Sequence, residues 1–346
     1  MRRITTFLVL IGIFPFLGAQ DNSPEKDGVG LFSSDSVLEL TLWLDLAEIR
    51  DDLGEDPSYH DAILEYKDPE DQSAMRMDIQ VKARGSFRKN PENCDFPPLK
   101  IKFDKTDKLG SIFSRIKDVK LVSHCQSGEK EFEQYVLQEY LIYKAYNLFT
   151  EYSFKVRLIR LTYVDISAGN DSLTRFAFLI EDAEDMAERN LGKLLDLKSV
   201  PSDKLDQHQF ALMSFYNYMM LNTDYSVPIL HNIELVSIDH FKPPIPVPYD
   251  FDWSGIIDIP YDSPFATEET RYIAHRYKGP CLKMKELEEV FSYMKVKKKN
   301  LYKLYREFPY LDEEMRVRSI QELNMFYITI GNRELIRKEF IKNCAD

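Results

Sequence analysis

Apolar and polar residues alternate with a period of two through much of the first half of the chain, and with a helical period through most of the second. Strict alternation places successive side chains on opposite faces of an extended strand, so one face is buried. It predicts strands over residues 37–46, 60–66, 75–84 and 119–123. The pattern is plainest over 99–103, where Leu99, Ile101 and Phe103 alternate with Lys100 and Lys102. Residues 154–164 and 173–180 read as two more strands about the turn residues Ala168, Gly169, Asn170 and Asp171. A short helix is expected at 46–53. Tyr135, Val136, Glu139, Tyr140, Ile142, Tyr143 and Tyr146 recur at helical spacing and predict a long helix over 131–149.

Beyond residue 181 the pattern changes. Helices are expected at 182–190 and 204–221, an irregular loop at 222–232, and a short strand at 233–238. A proline-rich stretch, 243–248, then leads into Tyr249-Asp250-Phe251-Asp252-Trp253. Residues 283–343 are helical in period. A sheet-rich lobe followed by a helix-rich lobe is an α+β architecture. One domain is expected over 37–280, with 281–346 a helical extension completing the second lobe.

Composition narrows the class. Hydrophobic residues make up 44% of the chain and aromatics 13%, enough for a packed core. The formal charge is −12, which disfavours nucleic acid as a partner. Arg2 and Arg3 precede an apolar run at 7–17 and the small residues Gly18 and Ala19, the layout of a cleavable secretory signal over 1–20. The run is short for a membrane span, and an uncleaved anchor is the alternative. After cleavage no integral membrane segment is expected, 21–36 reads as a flexible lead-in, and the destination is the periplasm, the cell surface or the medium. Cys94, Cys125, Cys281 and Cys344 show no zinc-ligand spacing. An exported chain permits disulfides, and the pairs Cys94–Cys125 and Cys281–Cys344 would each close a loop within one region.

The chemistry concentrates in two constellations. The acidic one comprises Asp224 after a helix, Asn232 eight residues on, and the pair Asp250 and Asp252. An Asp-x-Asp pair in a strand turns both carboxylates to one face. Two carboxylates and an amide oxygen suit Mg²⁺ or Mn²⁺, with substrate phosphates completing the shell. Asp224 has the type and position to accept or orient a hydroxyl proton. Solvated loop aspartates, or a calcium site bracing the loop, are the competing readings. The basic constellation spans 76–105, with eight Lys or Arg against four acids, centred on a turn at Gly85-Ser86. Such a turn can present backbone N–H groups and cations to phosphates, or the lysines can be a solvated strand face. Glu139, with Glu133 as competitor, stands in the long helix where a strand lysine can be paired. Neither a G-x-S-x-G elbow nor an H-E-x-x-H motif occurs, so hydrolase readings lack support. The run 295–299 reads as a solvated helix face.

The order of these parts resembles the CotH (spore-coat protein H-like) kinase family. The likeness rests on Arg84-Gly85-Ser86-Phe87-Arg88-Lys89, on 96–103, 120–125, 153–157 and 178–182, then on Asn222-Thr223-Asp224, His231-Asn232 and 248–253. It covers roughly residues 75–260. The resemblance implies a divergent, two-lobed protein-kinase-like fold and ATP-dependent phosphorylation of serine or threonine on exported proteins. It implies that Arg84, Gly85, Ser86 and Arg88 cover the phosphates and that Lys100, or Lys102, reaches them. Glu139 would pair with that lysine, and Glu181 would lie at the lobe junction near the nucleotide. Asp224 would be the catalytic carboxylate, and Asn232, Asp250 and Asp252 would hold the metal. Many relatives carry an asparagine between the glycine and serine of the turn, where this chain has Gly85-Ser86 directly. A catalytically silent binding module in surface assembly or adhesion is the alternative.

Overall fold

The computed structural model describes residues 30–104, 108, 110–257, 259 and 276–344. The expected signal segment, the first part of the lead-in and Lys105 lie outside the described residues. Five strands form first: β1 (Leu38–Leu44), β2 (His60–Lys67), β3 (Ala74–Ala83), β4 (Leu99–Phe103) and β5 (Asp118–Val122), with a short helix α1 (Leu46–Asp51) after β1. Asp45 caps α1 by accepting from the Glu48 N–H at 2.9 Å. Helix α2 (Glu131–Tyr146) follows, then the hairpin β6 (Val156–Asp165) and β7 (Asp171–Ile180).

These seven strands close on themselves in the order β1-β2-β3-β4-β5-β7-β6. Every pairing is antiparallel except the closing one, where β1 runs parallel to β6 from Leu38 opposite Ile159 to Leu44 opposite Asp165. The inward positions of the alternation, among them Leu42, Leu64, Val81, Leu99, Leu121, Ile159 and Ala177, fill the barrel core. Closure removes both sheet edges.

The closed barrel corrects the expected two-lobed, kinase-like fold. The strands form close to where alternation places them, but they make a mixed barrel rather than an open sheet lobe. Alternation fixes which face of a strand is buried. It does not say that β1 will find β6, which lies on the far side of six other elements in sequence.

The second half is built from α3 (Ala183–Arg189), α4 (Gln207–Met219), α5 (Met284–Glu307), α6 (Glu313–Thr329) and α7 (Arg333–Ile336). A small antiparallel sheet, β10-β9-β8, joins them: β8 (Lys193–Leu194), β9 (Ile233–Ser237) and β10 (Ile245–Pro248). Helix α2 packs between the barrel and these helices. One continuous core runs from Phe178 on β7 through Leu141 on α2 to Tyr216 on α4, Phe251, Phe291 on α5 and Phe326 on α6.

Both expected disulfides form, Cys94–Cys125 and Cys281–Cys344. The first fastens the connection between β3 and β4 to the segment after β5. The second ties the approach to α5 to the chain's last described turn. Among the described residues no helix is long and apolar enough to cross a membrane.

Candidate active site

Four separate segments converge on the turn of Asp250. The residue sits just after β10 in a left-handed conformation, φ 59°. Its backbone N–H donates to the Tyr143 hydroxyl of α2 at 2.8 Å, which fixes the turn against that helix. The charge of Asp250 acts on Arg84, Lys120, Glu139, Asp224 and Asp252. The strand expected at Asp-x-Asp does not form there. Asp250 and Asp252 lie in a turn, brought together by the reversed backbone rather than by pleat alternation.

The basic side comes from the end of β3 and from β5. Arg84 N–H bonds to the Pro98 carbonyl at 2.9 Å, and Gly85 takes φ 79°, a conformation in which glycine is unstrained. The ring of Phe87 meets Trp253 edge-on at 5.2 Å, which lays the Gly85-Ser86 turn over the Asp252 segment. Arg88 donates to the Ser123 carbonyl and acts electrostatically on Glu139 and Asp252. The Nε atoms of Arg84 and Arg88 are buried with no hydrogen-bond partner among the described residues. Lys120 extends from β5 over the Tyr249 ring, 5.2 Å from its centroid. Burial, then the neighbouring Arg84, lowers its ammonium pKa.

The acidic side is unusually buried. Glu139 is 3% exposed. Burial, then the charge of Asp250, pushes its carboxyl up to about 8, against the pull of Arg88 and Arg84. Burial, then Asp250 and Glu139, lifts the Asp252 carboxyl well above the ordinary range, and its Oδ1 is buried without a partner among the described residues. Glu133, the competitor of Glu139, instead faces Arg175 at 3.9 Å.

Asp224 is held by a relay of amides. Asn217 Oδ1 accepts from Asn222 Nδ2 at 2.9 Å, and Asn222 Oδ1 accepts from the Asp224 N–H at 2.9 Å. Asn232 Nδ2 donates to Asp224 Oδ2 at 3.0 Å, leaving the Asn232 amide oxygen available. His231 Nε2 lies 3.3 Å from Asp224 Oδ1. Lys278 braces the loop by donating to the carbonyls of Thr223 at 2.6 Å and Tyr225 at 3.1 Å. Burial raises the Asp224 carboxyl, with His231 and Lys278 opposing.

Arg84, Arg88, Glu139, Asp224, Asn232, Asp250 and Asp252 are thus brought into one neighbourhood, with the turn of Gly85 and Ser86 above it. Lys100, Lys102 and Glu181 are engaged elsewhere. Lys100 Nζ is 2.7 Å from Asp118, which outweighs burial and raises its pKa. Lys102 lies over the Tyr59 ring at 5.1 Å on the outer barrel face. Both carboxylate oxygens of Glu181 are taken by Arg189, at 2.8 and 2.9 Å, and one also accepts from the Lys155 N–H. Sequence reasoning missed Lys120, Tyr143 and His231. The first was discoverable: Lys120 pairs directly across from Lys100 and alternates with the same apolar strand positions.

No family model matches the chain, and no curated protein matches it.

The donor set fits a cation brought in with phosphate better than a resident one. Among the described residues no group of three or more His, Cys, Asp and Glu is placed to hold a metal ion. The orphaned Asp252 Oδ1 and the available Asn232 oxygen are hard ligands all the same. Mg²⁺ commonly binds through one or two carboxylates while phosphate oxygens and water complete its shell.

The buried acids make a pH prediction. An unfolded chain releases the Glu139 proton near the ordinary 4.5, whereas the folded one holds it to about 8. Folding therefore takes up protons in that window, and stability without divalent cation should fall as pH rises through it. The slope is at most about 1.4 kcal/mol per pH unit per group. Urea unfolding across the window should show this decline, and Mn²⁺ should reduce it by compensating the ionised carboxylates. A flat profile would mean that Glu139 is ionised throughout.

Proposed function

We propose that the protein transfers the γ-phosphoryl group of ATP to a serine or threonine hydroxyl of an exported or surface protein. The observation that carries this reading is the convergence on Asp250 of Arg84 and Lys120 with Glu139, Asp224 and Asp252. Cations beside hard-oxygen ligands in a partly desolvated site suit a transferring phosphoryl group, where catalysis is mostly positioning and charge stabilisation. The barrel does not argue against it, because chemistry resides in sites rather than folds.

Each residue has a role in that reading. Arg84, Arg88 and Lys120 neutralise phosphate oxygens. Asp250, Asp252 and Asn232 would hold one or two Mg²⁺ or Mn²⁺ ions, which would supply positive charge against the phosphates. Asp224 accepts or orients the acceptor hydroxyl proton, held in place by His231 and Asn232. Glu139, fixed in α2, steadies the Arg84 and Arg88 guanidinium groups.

Thermal unfolding of the folded chain with ATP and Mn²⁺ or Mg²⁺ tests the nucleotide site. A ligand specific for the folded state adds about 2.7 kcal/mol at a hundredfold excess over Kd. The shift should require metal and disappear in Asp250→Ala. If no nucleotide shifts the wild-type protein, the transferase reading falls and a silent binding module is the better account.

A further inference from the structure

Helix α5 carries a basic groove that the site above does not use. Lys295, Lys298, Lys299, Tyr302 and Arg306 line it, with Asn324 of α6 on the opposite wall. Positions 295, 299, 302 and 306 follow helical spacing and share one face. Tyr302 forms the floor. Its hydroxyl donates to Asn324 Oδ1 at 2.6 Å, and its ring lies beneath Lys298 at 5.2 Å and Arg306 at 5.3 Å. Lys298 also stands 4.6 Å from the Tyr327 centroid. Val296 projects beside these cations, 76% exposed.

Two of the groove's four cations, Lys298 and Arg306, rest on aromatic faces and not on carboxylates. The ion pairs of α5 with its own acids use Lys285 and Lys303 instead. Among the described residues Lys295, Lys298, Lys299 and Arg306 form none. Acids outnumber bases 57 to 45 over the whole chain, so this is a local reversal of sign. Like charges one turn apart destabilise a helix, and stacking holds two of them in place, Lys298 on Tyr302 and Tyr327 and Arg306 on Tyr302. Four cations on one groove without a carboxylate partner among the described residues, two of them stacked on aromatic rings, suit a negatively charged partner.

We propose that this groove docks an acidic segment of the acceptor protein, its carboxylates meeting Lys295, Lys299 and Arg306 and an apolar side chain resting on Val296. The acceptor's identity as a phosphorylation substrate rests on the proposed transferase activity. Capture of an acidic polypeptide does not.

Fluorescence anisotropy with a labelled poly-glutamate peptide tests it on the full chain. Wild-type protein should bind, and binding should weaken as salt is raised from about 0.05 M to about 0.5 M, where the Debye length shrinks several-fold. The charge-reversal triple Lys295→Glu, Lys299→Glu and Arg306→Glu should lose about tenfold or more in affinity. The milder Lys299→Gln with Arg306→Gln, checked by circular dichroism, gives the same test in a variant that keeps its fold. Asp250→Ala should bind the peptide like wild type. Absence of binding, or equal binding by the neutralised variants, would overturn the docking site. So would preferential capture of phosphatidylglycerol vesicles through the same cations, which would make the surface a lipid one. Peptide binding without any ATP-dependent thermal shift would keep the groove and remove the transferase reading.

Discussion

Asp224→Asn should leave ATP binding intact and reduce phosphoryl transfer by about three orders of magnitude, the scale of a lost general base. The substitution preserves volume, and the amide relay from Asn217 and Asn222 still shapes the loop. What it removes is the proton-accepting oxygen. Burial raises that carboxyl, improving its capacity to take a proton, while His231 and Lys278 keep the loss of ionisation in check. The side chain is also removed from the phosphate-binding cations, which act on Asp250, Glu139 and Asp252. Binding and chemistry should therefore separate. Transfer of labelled γ-phosphate to protein, measured beside the thermal shift with ATP and Mn²⁺, reads both. A variant that keeps transfer within a few-fold of wild type would place the proton acceptor elsewhere.

The second large effect discriminates between two lysines. Lys120→Ala should lower kcat/KM by about a hundredfold, the lower end of what deleting one preorganised charge-stabilising donor costs. Lys100→Ala should change it by about twofold or less, as expected of an ion pair at the partly exposed surface. The two residues face each other across β4 and β5. Their partners differ. Lys100 is committed to Asp118, whereas Lys120 reaches past Tyr249 into the field of Asp250. Lys120→Arg should recover part of the loss by restoring charge without the original reach. If Lys100→Ala is the more damaging, the phosphates lie on the outer barrel face and not against Asp250.

Local structure was legible in the chain wherever one period ruled. The alternation at 99–103 locates β4, and the helical recurrence from Tyr135 to Tyr146 locates α2. Strand β10 was hidden by Pro246 and Pro248, which disfavour a central strand; it is an edge strand of its sheet, where proline is tolerated. The barrel was hidden for another reason. Closure depends on a pairing between Leu38 and Ile159 that leaves no local trace. At the site, residue type and order exposed the set Asp224, Asn232, Asp250 and Asp252. The lysine was harder. Lys82, Lys100 and Lys120 occupy adjacent strands in equivalent registers, and only the tertiary approach of the Asp250 turn distinguishes one of them.

The parallel seam between β1 and β6 also sets a timetable. At about 5–20 residues per second, β6 is synthesised roughly 6–24 s after β1, since its partner residues come about 120 positions later. During that interval β1 to β5 can pair only as an open sheet, with one rim waiting at β1 and the other at β5. β1 carries four leucines and β5 a leucine and two valines, and both rims lack the protection that closure later gives them. The nascent chain is thus at its stickiest before residue 180 is made, where β7 meets β5, and a chaperone that shields strand rims has most to do until then.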